Sequence, residues 1–121
     1  MEIKVLGVVG AGQMGSGIAQ VAAASGFSVI MNDIKEEYVE KGFAAIETSL
    51  ERMVRKEKIT QQDKKQSLGR IEGSTSLEDM TKADFIVEAA TENEALLLRD
   101  LIGASGLKNY LIQQTVYFVI K

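Results

Sequence analysis

Cysteine and histidine are both absent from the 121-residue chain. The first absence excludes disulfides and thiolate metal sites; the second removes the commonest metal ligand and the commonest general base. Positive charge is in short supply as well. The 14 Lys and Arg against 17 Asp and Glu leave a net charge of −3, and no basic stripe with interleaved aromatics occurs. Neither nucleic acid nor an anionic membrane is therefore an expected partner. No run approaches the roughly 18 apolar residues of a membrane span, and a strand-like run begins at Ile3 with no long apolar leader before it. A cytoplasmic location is the expectation. What is present, 45% hydrophobic residues over this length, suffices for one domain, residues 1–121, with a sizeable core.

The most informative stretch is Val8-Val9-Gly10-Ala11-Gly12-Gln13-Met14-Gly15, which follows an apolar run and opens an Ala-rich segment. A GxGxxG alone is a weak pattern. Between a strand and a helix, with an acid about 20 residues on, it reads as a dinucleotide-binding turn. That acid is Asp33, at the close of the second apolar run, Phe27 to Met31. Gly10 suits the tight turn, Gly12 the approach of a pyrophosphate to the backbone, and Gly15 the close packing of helix on strand. The pyrophosphate would rest on helix N-terminal amides, where unpaired N–H groups and the macrodipole favour an anion.

Along the chain, Ile3 to Val9 reads as a buried strand, Met14 to Ser25 as a helix stopped by Gly26, and Val29 to Asn32 as a second strand. Val39, Phe43, Ile46, Leu50 and Met53 then recur at helical spacing, behind Glu36 and Glu37, predicting a helix to about Lys58. Thr60 with Asp63 resembles a capping box opening a polar helix to about Arg70. Ile71 to Thr75 is a weak strand candidate, Leu77 to Met80 a helical turn, and Asp84 to Ala90 a buried strand. A helix from Leu96 to about Leu107 and a β-branched, aromatic strand from Thr115 to Ile120 complete the pattern. The fold class is α/β: a Rossmann-like, doubly wound parallel sheet, ordered 3-2-1-4-5, with a helical-hairpin insertion after the second strand.

With Gly10 to Gln20, Asp33, and Asp84-Phe85-Ile86-Val87-Glu88-Ala89-Ala90-Thr91-Glu92-Asn93 together, the chain resembles the N-terminal, NAD-binding half of the L-3-hydroxyacyl-CoA (3-hydroxybutyryl-CoA) dehydrogenases. The likeness runs from residue 1 to about residue 95, through Ser49-Leu50 and Lys58-Ile59-Thr60. It implies that Gly10, Ala11, Gly12, Gln13, Met14 and Gly15 bind the cofactor, that Asp33 holds the adenosine ribose hydroxyls, and that Glu92 lies near the nicotinamide-side ribose. It also implies that Ser49 and Lys56 face coenzyme A. Seven residues apart on a helix, those two lie about 20° apart around the axis and roughly 10 Å apart along it. Asp33 is followed by Ile34-Lys35, not by an arginine suited to a 2′-phosphate, so NAD is expected over NADP.

The departures bear on activity. The family's lysine after the Glu-Asn pair falls at Leu97, and its catalytic histidine, held by a glutamate and aided by serine and asparagine, has no counterpart in a chain without histidine. The length is also short of a two-domain dehydrogenase. The expectation is a dehydrogenase cofactor domain that does not turn over alone; the alternative is a stand-alone NAD- or nucleotide-sensing Rossmann module, which has no need of the helical hairpin. FAD or SAM use of the turn ranks lower, because the Glu88 to Asn93 signature fits neither. A final edge strand rich in apolar residues, Val116 to Ile120, predicts a homo-oligomer formed through it or through the neighbouring Leu96–Leu101 helix.

Overall fold

The computed structural model describes residues 3–89. The elements are β1 (Val5–Val9), α1 (Gln13–Ala24), β2 (Ser28–Asn32), α2 (Glu36–Arg55), α3 (Gln61–Gly69), β3 (Ile71–Ser74), a 3-10 turn (Leu77–Lys82) and β4 (Phe85–Glu88). All the strand pairs are parallel, in the order β3-β2-β1-β4. Four strands of the expected order are thus in place; the Leu96–Leu107 helix, the Thr115–Ile120 strand and the association expected of them lie outside the described residues.

Alternation along the strands sends successive side chains to opposite faces. Val8, Val29 and Met31 join Ala19, Ala23, Ile46 and Leu50 in a core beneath α1 and α2. Val9, Ile30 and Ile86 meet Met80 of the 3-10 segment and Ala83 just after it on the other side. The sheet is therefore covered on both faces, which is what continuous apolar strands require.

The helical hairpin forms as expected, with one boundary displaced. Helix α2 stops at Arg55 and not near Lys58, because Glu57 takes a left-handed φ of 58°. The amides of Glu57 and Lys58 turn back onto the carbonyls of Val54 and Met53, at 2.9 Å each, in a Schellman arrangement. Glycine usually occupies that position; a glutamate there left no punctuation to read. Lys56 is consequently the C-cap and not an interior helical residue. Thr60 and Asp63 make the capping box, with Thr60 N donating to Asp63 Oδ2 at 2.9 Å and Asp63 N donating to Thr60 Oγ1 at 3.0 Å.

At the lower edge of the sheet Asp84 Oδ2 accepts from Val5 N and Lys4 N, both at 2.9 Å, tying the start of β1 to the approach to β4. Those amides, Val5's first, hold the Asp84 carboxyl below the ordinary aspartate value of 3.8, as the Thr60 amide and hydroxyl do for Asp63. Both groups bind protons more weakly folded than unfolded. Their stabilisation is complete above the ordinary value and is lost as pH falls through the lowered folded values. The thermal midpoint is expected to stay level from about pH 7 to 5 and to fall below about pH 4. Asp84→Asn should flatten that acid limb, and an unchanged limb in the variant would remove Asp84 from it.

Candidate functional site

The site lies where the sheet order reverses, at the carboxyl ends of β1, β2 and β4. Gly10, leaving β1, has φ 107°, a conformation that an L side chain rarely adopts. Its amide donates to Asn32 O of β2 at 2.7 Å, while Ala89 N, beyond β4, donates to Val9 O at 2.9 Å. The turn is thus held from both neighbouring strands. A Cβ on Gly15 would overlap the carbonyl oxygen of Gly10, so the first turn of α1 can lie against β1 only without a side chain there.

Burial divides the six turn residues into two groups. Gly10, Ala11 and Gly15 are buried, whereas Gly12, Gln13 and Met14 are exposed. Gly12 is the N-cap of α1, in extended geometry, and a Cβ built on it meets nothing within 4 Å. No side chain caps this helix, and no acid sits in its first turn. The initial amides, which have no acceptor inside a helix, are left to face whatever occupies the space over Gly12. An anion fits there, and a pyrophosphate fits the uncrowded approach over the glycine.

Asp33 stands immediately beside this turn and is only 8% exposed. Its Oδ2 accepts from Ala11 N at 2.8 Å and its Oδ1 from Ile34 N at 2.7 Å. The fold therefore brings Asp33 and the glycine turn together, as the spacing predicted. Ala11 has a different part from Gly12: its amide is engaged by Asp33, and its methyl lies close under Gly42 of α2.

Ser49 lies in the far half of α2, and Lys56 is the C-cap that follows it, outside the helix in which the heptad spacing placed it. Ser49 is half-buried and its Oγ accepts from Gln20 Nε2 of α1 at 3.0 Å, while Lys56 is exposed at the helix end. Among the described residues no hydrogen bond or ion pair joins either one to the turn. Gln20 also lines a cavity of about 590 Å³ between the helices, with Leu50, Met53, Ile59 and Arg70 in its walls. Glu92 lies outside the described residues.

Three site neighbours carry no role of their own in the sequence reading, although Ile34 and Glu88 stand within its motifs. Ile34, directly after Asp33, is a large apolar side chain left 54% exposed; its signal is an apolar residue at a strand end that belongs to no helical stripe. Asn32 is buried and donates to Ser74 Oγ at 3.1 Å, fastening the end of β2 to β3. Glu88 is buried in register with Val9 at the end of β4; an acid inside the apolar Asp84 to Ala90 run marks it.

A parallel sheet with a glycine turn at its reversal point, an open helix N-terminus above it and an acid at the end of the second strand defines a dinucleotide-binding Rossmann domain. The family model described as "3-hydroxyacyl-CoA dehydrogenase, NAD binding domain" matches residues 5–99. The chain belongs to the 3-hydroxyacyl-CoA dehydrogenase family through that domain, and its cofactor is NAD. It is 44% identical over 92 residues to the 3-hydroxybutyryl-CoA dehydrogenase of Bradyrhizobium diazoefficiens, covering 76% of this chain and 31% of that protein. To the probable 3-hydroxybutyryl-CoA dehydrogenase of Bacillus subtilis it is 46% identical over 95 residues, covering 78% and 33%. Among solved structures, (S)-3-hydroxybutyryl-CoA dehydrogenase from Ralstonia eutropha superposes with a TM-score of 0.77 at 44% identity, covering 91% of this chain and 38% of that one. The chain spans about a third of the length of the curated relatives it matches. No helix among the described residues is long and apolar enough to cross a membrane.

Proposed function

We propose that the chain is the cofactor-holding part of an NAD-dependent 3-hydroxyacyl-CoA dehydrogenase that acts on 3-hydroxybutyryl-CoA or a close acyl homologue, in fatty acid or butanoate metabolism. The observation that carries this reading is an open, acid-free helix N-terminus with a buried carboxylate beside it. The pyrophosphate lies over Gly12, Gln13 and Met14. The adenosine ribose hydroxyls donate to lone pairs that Asp33 retains, since two carboxylate oxygens offer about four acceptor positions and the amides of Ala11 and Ile34 use two of them. Glu92 is assigned to the nicotinamide-side ribose, and Ser49 and Lys56 to acyl-CoA, as a hydroxyl in the last turns of α2 and an ammonium at its C-cap. The fixed Ser49 hydroxyl beside the cavity that Gln20 lines supports this placement.

NAD, when bound, accepts hydride from the carbinol carbon of the substrate. Removal of the hydroxyl proton needs a positioned base, and this chain has no histidine to serve as one. Turnover by the chain alone is therefore not expected. A cytoplasmic location and self-association through Thr115–Ile120 or the Leu96–Leu101 segment belong to the same proposal.

Calorimetric titration with NAD, NADH, NADP and NADPH tests the cofactor assignment. The unphosphorylated pair is expected to bind in the micromolar to millimolar range and the phosphorylated pair at least about tenfold more weakly, because a carboxylate at the ribose repels a 2′-phosphate. Equal or tighter NADPH binding would reject the role of Asp33. With 3-hydroxybutyryl-CoA added, no NADH absorbance should develop; turnover that survives repurification would show that the chain supplies its own base.

A further inference from the structure

Asp33 makes contacts that a ribose acceptor does not need. Its carboxylate bridges two backbone amides, Ala11 N at 2.8 Å and Ile34 N at 2.7 Å, while its own amide donates to Ser74 O at 3.0 Å. Ser74 is itself held, its hydroxyl accepting from Asn32 Nδ2 at 3.1 Å and lying 2.7 Å from Asp79 Oδ2. The group that reaches the turn is thus anchored through β2 and β3. The turn has little of its own to define it. Gly10 is in left-handed geometry, Gly12 is exposed with no side chain, and two-glycine segments have a large conformational entropy to lose.

Two hydrogen bonds connect the start of this turn to the end of β2: Gly10 N to Asn32 O, and Ala11 N to the Asp33 carboxylate. The second is charge-assisted and buried, which makes it the stronger tether. We propose that Asp33 is a positioning residue for the glycine turn: its carboxylate locks Gly10–Gly12 into the nucleotide-accepting conformation before any nucleotide arrives. This rests on the reading of the turn as the pyrophosphate site, and adds to the ribose role a second one exerted through Ala11.

The two roles, and a purely electrostatic one, predict different signs. A carboxylate near a pyrophosphate repels it, so if Asp33 acted there only as a charge, its removal would tighten binding of a ligand that lacks ribose hydroxyls. If it acted only on the ribose, such a ligand would be indifferent to it. If it holds the turn, that ligand binds more weakly without it.

The experiment is a cycle of wild type, Asp33→Ala and Asp33→Asn against ADP and 2′,3′-dideoxy-ADP, followed by NMR titration, with amide exchange at Ala11 measured in the ligand-free proteins. Asp33→Ala is expected to weaken 2′,3′-dideoxy-ADP by about tenfold, the scale of one charge-assisted hydrogen bond. Asp33→Asn, with a single carbonyl oxygen for two amides, should fall between. Ala11 exchange should be slow in wild type and in Asp33→Ala should speed up far more than that of strand amides such as Val8 and Val29, which report any overall loss of stability. Unchanged or tighter dideoxy-ADP binding by Asp33→Ala, or Ala11 exchange as slow as in wild type, would overturn the proposal. Equal binding of ADP and dideoxy-ADP by wild type would instead reject the ribose contact. Failure of wild type to bind either nucleotide would reject the pyrophosphate site, leaving the exchange measurement to decide on the tether.

Discussion

Gly12→Val is expected to reduce NAD affinity by at least ~100-fold, the loss of several charge-assisted hydrogen bonds at a helix N-terminus, while leaving the domain folded. The backbone at Gly12 is extended, with φ −73° and ψ −163°, which valine adopts readily, and a Cβ there meets no atom within 4 Å. Valine is a poorer N-cap than glycine by a few tenths to about 1 kcal/mol, and the stiffer unfolded chain offsets about 0.4–1 kcal/mol of that. The melting temperature should therefore move by no more than ~3 °C. The open space that tolerates the side chain is the space proposed for the pyrophosphate, so the isopropyl group would shut the anion away from the first amides of α1. Calorimetry and thermal melting on the same sample separate the two effects. Affinity within threefold of wild type would show that the phosphates do not approach over Gly12.

Gly15→Ala, three residues on, should do the reverse: destabilise the domain and weaken binding only as a consequence. The added Cβ would overlap the Gly10 carbonyl oxygen, a backbone atom on a turn that hydrogen bonds to Asn32 and Asp33 hold in place. Relief requires α1 to move away from β1, opening the core that Val8, Ala19 and Ala23 share. Overpacking against side chains costs about 1–3 kcal/mol, and a rigid backbone clash belongs at or above the upper end. For a domain of this size that corresponds to a fall in melting temperature of at least ~10 °C. A variant melting within ~2 °C of wild type would show that the helix and strand are less closely apposed than described. With both outcomes in hand, the two glycines would divide one motif into a residue that serves the ligand and a residue that serves the fold.

Most of this architecture was legible beforehand for a local reason. The apolar runs of β1, β2 and β4 lie buried on both faces, the stripe of Val39, Ile46 and Leu50 repeats at helical spacing, and Thr60 with Asp63 satisfies two amides within four residues. Each signal is complete within a short stretch, so chain order alone carries it. The end of α2 is not legible in the same way, because its stop depends on Glu57 accepting a left-handed φ, a cost that nothing nearby in sequence announces.

The order of the chemistry-bearing residues along the chain determined the cofactor class: glycines at 10, 12 and 15 between a strand and a helix, and an acid at 33. Their division of labour was decided only in three dimensions. Pairing of β2 alongside β1 puts the Asp33 carboxylate 2.8 Å from Ala11 N, across 22 residues, so the acid proposed for the ribose is also hydrogen-bonded to the turn. Gln20 meets Ser49 across 29 residues because α1 and α2 pack side by side on the same sheet face. Periodicity records which face of an element is buried; it holds no record of which distant polar group will be waiting there, because that follows from strand order and helix packing, which form only when the whole domain closes.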